Sequence, residues 1–269
     1  MKVAILAKTS FYKNERDDPC MTALVWCAGE KTPTDFYFTG TNSFNDFAYK
    51  WCKTYQRSEP ASRLIYVAAD EDTEEILSYK RSQFDLVIRP TLHTKRMEGL
   101  SVQEQYMIDE CDKLILYHDG GVDRYRFTFH ARLRGKRVID YFLNANLSLY
   151  DPLCRMAITE QELLDFGIDV NEQCAFVKNL LIYMHLHSEL MKTPQYFQIY
   201  DDALVFLFEA FGYDRSYIFC DFEQCKRYII EEIDLLAQEV ADLSKFPVTQ
   251  EVYSAFCEHH EKYKNSVDF

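Results

Sequence analysis

The sequence predicts an α/β fold, a doubly wound and mostly parallel sheet, followed by an all-α C-terminal part. Three observations carry that expectation. Short apolar runs of the kind buried on both faces of a parallel sheet recur between Val3 and Phe142, and helical patterns alternate with them. After Asn144 the strand-like runs stop and every apolar spacing is helical. The charge balance changes at the same place. Of 43 acidic and 30 basic residues, 22 and 9 lie from Leu147 onward, which leaves 21 of each before it. A chain of 269 residues can bury one large core or two small ones. We expect domains at 1–145 and 146–269.

The elements follow in order. Val3 to Ala7 is the first strand, and the polar loop Lys8 to Pro19 leads into a helix from Cys20 to Ala28, with Gly29 closing it as C-terminal glycines often do. Phe36-Tyr37-Phe38 is the second strand, and Phe44, Phe47, Ala48, Trp51 and Tyr55 then repeat at helical spacing. Leu64 to Ala69 is the third strand, followed by an acidic helix start at Asp70 to Glu75. Phe84 to Ile88 is the fourth, ending at Arg89-Pro90, where the proline cannot donate to a ladder. Ser101 to Glu110 is a helix, with Ser101 and Glu104 at capping-box spacing. Lys113 to Tyr117 is the fifth strand, Arg124 to Arg134 a helix ended by Gly135, and Arg137 to Phe142 the sixth strand. Beyond the linker at 144–152, helices are expected at Asp169 to Leu190 (ended by Pro194), Tyr196 to Phe211, Ser216 to Leu243 and Thr249 to Tyr263. Their many charges are expected on solvated faces.

Two stretches repeat one arrangement. Thr39-Gly40-Thr41-Asn42-Ser43-Phe44-Asn45-Asp46 follows the second strand, and His118-Asp119-Gly120-Gly121 follows the fifth. Each puts glycine and small polar residues where a strand ends and a helix begins, the edge where open parallel sheets bind ligands against backbone N–H groups. Lys8, Thr9 and Ser10 follow the first strand and occupy the corresponding edge. Candidate ligand contacts are Lys8, Thr9, Ser10, Gly40, Thr41, Ser43, His118, Gly120, Gly121 and Arg124. Ser43 either donates to a phosphate or N-caps its helix. Asp46 either meets a ribose hydroxyl or complements the helix dipole. Asp119 is a turn residue or a general base, and His118 beside it is a proton-transfer candidate.

Composition excludes several classes. The acidic C-terminal part repels nucleic-acid backbones and anionic lipid. No segment carries about eighteen uninterrupted apolar residues, and Met1 to Ala7 is too short for a signal sequence core. The nine cysteines are odd in number and form no C-x-x-C pair, so they read as buried reduced thiols of a cytoplasmic protein. Cys220 and Cys225 lack a second ligand pair, while His185 and His187, like His259 and His260, diverge on their helices; no metal and no cofactor is expected. Aromatics, with 19 Tyr and 20 Phe, are expected mainly in packing.

The stretch Thr34 to Ala48 resembles the strand, glycine turn and S/G-F-D-x-x-A helix signature of SLOG-type Rossmann-like domains. That superfamily includes the Lonely Guy phosphoribohydrolases and the nucleotide-like fold of DNA-processing protein A. Met107-Ile108-Asp109-Glu110-Cys111-Asp112-Lys113-Leu114-Ile115 is similar to its M-V-D-x-S-D-x-x-I step. Asp119-Gly120-Gly121, then Ala131 and Gly135-Lys136-Arg137-Val138-Ile139, look like its GG…A-x-x-x-G-K-P-V-I ending. The resemblance implies phosphate or ribosyl groups of a nucleotide derivative over the turns at 39–46 and 118–122. The chain departs from the pattern at Gln103, Glu104 and Gln105, where the domains it resembles often carry Arg-Asn-Arg. After Gly121 it departs again, with Tyr125, Arg126 and Phe127 where the catalytic glutamate is expected.

The expected function is therefore a sensor or binding module for a nucleotide or nucleotide-derived ligand, without strong catalysis. The alternatives are a nucleotide N-glycosidic hydrolase or transferase using Asp46 or Asp119, and a ligand-free protein-interaction scaffold. For the helical half, a protein partner or a second copy of the chain is expected.

Overall fold

The computed structural model describes residues 1–7, 11–15, 17–40, 42–92, 99–117, 122–141, 158–211 and 222–266; the side chains of 122–125 and of Asp140 fall outside that description. The chain divides into two compact units, Met1–Leu147 and Ser148–Phe269. The boundary expected at 145/146 lies outside the described residues.

In the first unit β1 (Lys2–Ala7), β2 (Asp35–Phe38), β3 (Arg63–Val67), β4 (Leu86–Ile88), β5 (Lys113–Tyr117) and β6 (Arg137–Asp140) form a parallel sheet. The strand order is β4-β3-β2-β1-β5-β6. Val3 of β1 pairs with Phe36 on one side and Lys113 on the other. From β1 to β4 the chain steps in one direction, so right-handed crossovers place α1 (Asp17–Gly29), α2 (Ser43–Ser58) and α3 (Glu74–Gln83) on one face. It then returns to the far side of β1, which sends α4 (Val102–Glu110) and α5 (Val122–Leu133) to the other face. The cores divide accordingly. Val3, Ile5, Phe36, Phe38 and Leu64 pack with Met21 and Val25 of α1 and Phe44, Ala48 and Tyr55 of α2. Ala4, Leu6, Ile65, Val67, Leu114 and Leu116 pack with Met107 and Ile108 of α4 and Phe127 and Ala131 of α5. The sheet is doubly wound, as the alternating runs predict.

Details at the helix ends depart from the sequence reading. Gly29 is the last residue of α1, and the left-handed turn that reverses the chain is taken by Glu30 (φ 52°) and Lys31 (φ 55°). The reason for glycine at 29 is steric: a Cβ there would lie 2.4 Å from Cζ of Tyr55, a fully buried ring. The Tyr55 hydroxyl donates toward the carbonyl oxygens of Gly29 and Thr32, each at 2.9 Å, and accepts the Thr32 N–H at 3.0 Å. At the end of α5, by contrast, Gly135 itself has φ 76°, the terminating role expected of it. The third helix begins later than its acidic run suggests, because Thr73 caps it by accepting the Ile76 N–H. Cys52 and Cys111 are buried free thiols, and burial pushes both pKa values up. Cys27 departs from the expectation and is exposed.

The second unit is helical throughout its described residues: α6 (Glu160–Asp165), α7 (Gln173–Leu186), α8 (Pro194–Ala210), α9 (Phe222–Glu239) and α10 (Gln250–Ser266). The pattern expected to run to Leu190 instead breaks into α7 and a short 3-10 turn at Ser188–Lys192. Pro194 does not merely stop that segment. It opens α8 at the first helical position, where its missing N–H costs nothing. Leu180, Leu181 and Met184 of α7, Leu204, Leu207 and Phe208 of α8, Ile229 and Ile233 of α9 and Phe256 of α10 are all buried.

The charges of this unit are not all on solvated faces. Glu162, Asp202 and His260 are buried together. His260 bonds the Glu162 carboxylate through Nδ1 and faces Asp202 Oδ2 through Nε2 at 3.2 Å. Lys264 donates to the same Asp202 oxygen at 2.7 Å, and Gln198 donates to the other at 2.8 Å. Among the described residues no helix is long and apolar enough to cross a membrane.

Candidate functional site

The strand order reverses at β1, whose neighbours are β2 and β5. Because these strands are parallel, the turns after Phe38 and after Tyr117 leave the same edge of the sheet, on either side of the loop that follows β1. This is the position at which open α/β sheets place ligands. Lys8, Thr9, Ser10, Thr41, His118, Asp119, Gly120 and Gly121 lie outside the described residues, as does the side chain of Arg124 in α5. Gly40, Ser43 and Asp46 are described.

Ser43 is not the cap of α2. Asn42 holds that position, and its side chain accepts the Asn45 N–H at 2.8 Å. Ser43, one residue inside the helix, accepts the Phe11 N–H at 3.1 Å and donates to the Phe11 carbonyl at 2.9 Å. It thereby ties the segment following β1 to the start of α2. Phe11 itself stacks on Phe47 (5.1 Å between centroids) and meets Phe44 and Tyr117 edge-on at 5.4 and 5.1 Å. Tyr141 closes this aromatic floor, and its hydroxyl donates to buried Asp17. The Tyr141 pKa is raised, first by burial and then by that bond. Tyr141→Phe leaves one buried Asp17 oxygen without its donor, so chemical denaturation is expected to show a loss of about 1–3 kcal/mol. A loss near zero would show that the bond contributes nothing net.

Asn45, 3% exposed, fixes the turn by donating through Nδ2 to Thr39 Oγ1 at 3.0 Å and to the Thr39 carbonyl at 3.3 Å. Its Oδ1 is buried with no hydrogen-bond partner among the described residues. One residue on, Asp46 is exposed on the first turn of α2.

Two clefts open beside this turn and share Gly40 and Lys80 in their walls. The smaller, about 200 Å³, is lined by Thr39, Asn45, Asp46 and Tyr49 as well. The larger, about 570 Å³, runs over the end of β3 and along α3, where it meets Tyr66, Glu71, Asp72, Glu75, Ile76 and Tyr79. Gly40 has ordinary space around it, since an added Cβ would find only the Tyr66 hydroxyl, at 3.8 Å. Neither packing nor a left-handed backbone requires glycine there. The missing side chain simply leaves the shared mouth open.

Lys80, 7% exposed, is the residue that sequence reasoning missed. Its ammonium lies over the Tyr66 ring at 4.9 Å and the Phe84 ring at 5.8 Å, and no carboxylate among the described residues pairs with it. A lysine in the last turn of an acidic helix reads as a solvated, dipole-favoured charge. Only the fold shows it turned inward. The Tyr66 hydroxyl donates to Asp72 Oδ2 at 2.9 Å, which also accepts the Ala69 N–H at 2.8 Å. Burial, then this carboxylate, raises the Tyr66 pKa.

Gln103 and Glu104, in the first turn of α4, have local work. Gln103 donates to the Val67 carbonyl at 2.8 Å, beside the larger cleft. Glu104 completes a capping box, accepting the Ser101 N–H at 2.8 Å while Ser101 Oγ accepts the Glu104 N–H at 3.2 Å. Ser101→Ala is expected to lower stability by about 1 kcal/mol in urea unfolding; an unchanged midpoint would count against the cap. Among the described residues no group of His, Cys, Asp and Glu could hold a metal ion.

Fold and site together define a doubly wound, Rossmann-like α/β unit with clefts at the C-terminal edge of its sheet. Beyond that class the comparisons add nothing: no family model, curated protein or solved structure matches the chain.

Proposed function

We propose that the N-terminal unit binds a nucleotide or nucleotide-derived ligand over the C-terminal edge of its sheet, as a sensor or binding module without strong catalysis, in the manner of the SLOG-type domains it resembles. The observation that carries this reading is the opening beside Gly40: the turn after β2 borders two clefts instead of being filled by side chains. A capped helix start faces that edge, where backbone N–H groups favour anions. The ligand-free scaffold reading predicts turns filled by side chains, and the clefts beside Gly40 argue against it at this turn. The arginine-poor α4 and the residues after Gly121 favour binding over turnover.

Isothermal titration of the whole chain with nucleoside phosphates, ADP-ribose species and cyclic nucleotides tests the reading. At least one is expected to bind below millimolar concentration, and no heat from any of them with folded protein would reject it. The hydrolase reading keeps one observation, the exposed Asp46 carboxylate in the smaller cleft. Its mark is base release detected by chromatography and abolished by Asp46→Asn or Asp119→Asn. In the C-terminal unit the acidic helices would serve as a partner, oligomerisation or response element, in a cytoplasmic protein.

A further inference from the structure

The larger cleft offers chemistry that a nucleotide phosphate cannot use. Among the described residues its walls carry the carboxylates of Glu71, Asp72 and Glu75 against the ammonium of Lys80, so they repel phosphate and attract cations. Asp72 is already engaged, accepting from the Tyr66 hydroxyl and the Ala69 N–H. Glu71 and Glu75 are exposed, and no lysine or arginine among the described residues pairs with either. Arg81 is taken up by Glu74, and Arg89 donates to the Asp72 carbonyl. Acidity alone would describe only a solvated surface. The same walls, however, hold two large apolar side chains that the fold leaves open, Tyr79 at 60% exposure and Ile76 at 41%. The Tyr79 hydroxyl accepts from Gln83 Nε2 at 2.9 Å, which anchors the ring to the last turn of α3. Glu75 stands one turn before Tyr79, at the spacing that puts two side chains next to each other. A carboxylate beside an anchored, open aromatic face suits arginine above other side chains. Its guanidinium is planar, stacks on rings and donates two parallel bonds to a carboxylate, and its stem is apolar.

We propose that the larger cleft is a docking groove for an arginine-bearing segment of a partner polypeptide. The guanidinium stacks on Tyr79 and donates to the Glu75 carboxylate, and Glu71 adds a second negative charge in the same cleft. Ile76 receives an apolar neighbour of that arginine. A polypeptide suits this wall better than a free guanidinium compound, because a side chain together with its flanking residue covers both exposed apolar groups. Arginine and tyrosine are also the residues that dominate the energetics of protein contacts. The proposal goes beyond the nucleotide reading and does not rest on it, since phosphates bound along the same edge avoid these carboxylates.

The test selects phage-displayed random peptides on the whole chain, then follows a synthetic peptide from the enriched set by calorimetry at about 0.15 M salt, where bare charge attraction is screened. Enriched peptides are expected to share an arginine beside an apolar residue. Glu75→Gln should weaken the synthetic peptide about tenfold, the worth of a charge-assisted hydrogen bond. Tyr79→Ala should weaken it about threefold, the smaller worth of an exposed cation–π contact. Lysine in place of the peptide arginine should cost about as much as Glu75→Gln. Glu258→Gln, the same change of charge at an exposed position of the other unit, should cost nothing. Enrichment without a shared arginine overturns the groove. So does a lysine peptide that binds as tightly, or a Glu258→Gln loss equal to that of Glu75→Gln, because either would mean unspecific attraction to an acidic chain. N-acetylarginine amide binding as tightly as the peptide would give the cleft to a small guanidinium compound and overturn the polypeptide partner. If nucleoside phosphates compete with the peptide and are themselves weakened by Tyr79→Ala, the cleft belongs to the nucleotide: the groove is overturned and the nucleotide reading stands. If the peptide binds with the expected losses and no nucleotide binds, the groove stands and the nucleotide reading falls.

Discussion

Replacing His260 by alanine is expected to destabilise the C-terminal helical unit by about 3–5 kcal/mol, the cost of leaving buried charge uncompensated. His260 lies between two carboxylates, Glu162 on α6 and Asp202 on α8, each essentially without solvent contact. Both ring nitrogens face an acceptor, so the cationic imidazolium is the form that donates to both. Burial works against that charge, but the bonds to Asp202 and Glu162 outweigh it and raise the His260 pKa. Burial likewise opposes the Asp202 carboxylate, yet the bonds from His260 and Lys264 lower its pKa. The two shifts set opposite limits. The contribution of His260 is fully present below its unfolded value near 6.5 and is lost as pH rises through the higher folded value. That of Asp202 is present above about 3.8 and lost as pH falls through the lower folded value. Thermal melts across pH should therefore show the unit most stable between these limits, with the alkaline decline missing in His260→Ala. A loss below about 1 kcal/mol would mean that water reaches the cluster and screens it.

The second large effect is expected from Gly29→Ala. The added methyl would sit inside the van der Waals envelope of the Tyr55 ring, with three ring and hydroxyl atoms between 2.4 and 2.6 Å away. That ring is fully buried, edge-on to Trp26 and Phe36, so it has no open side to retreat to. Moving it breaks the hydroxyl bonds that join the end of α1 to the turn before β2. Overpacking of this kind costs about 3 kcal/mol when backbone must shift. Tyr55→Leu in the Gly29→Ala background should recover part of the loss, because it removes the clashing atoms. If chemical denaturation finds Gly29→Ala within about 0.5 kcal/mol of the parent, the close approach is not maintained in solution.

These two sites show where reading the sequence runs out. Gly29 was recognisable as a helix terminator, but the usual reason, a left-handed cap, applies to Glu30 and Lys31 instead. The real constraint comes from Tyr55, 26 residues away, and no local rule reports a long-range contact. Likewise the pair His259-His260 looked inert for metals, and the chemistry of His260 depends on two other helices. At the candidate site, the capping side chain was missed by one residue. Asn42 and Ser43 are both good caps, and the bond of Ser43 to Phe11 is invisible along the chain.

By itself the sequence determined the alternation of strands and helices, six strands in a mostly parallel sheet, the change to helices in the second half and the edge at which a ligand should be sought. Those features follow from hydrophobic period, glycine and proline placement and chirality, all of which are local or nearly so. Only the tertiary structure decided what that edge offers. It turned Lys80 inward over Tyr66, left Asn45 Oδ1 with no hydrogen-bond partner among the described residues, and set Glu71, Asp72 and Glu75 beside Lys80 in one cleft and Asp46 in the other. Such properties arise from burial and from electrostatics between distant segments, and these exist only once the chain has folded.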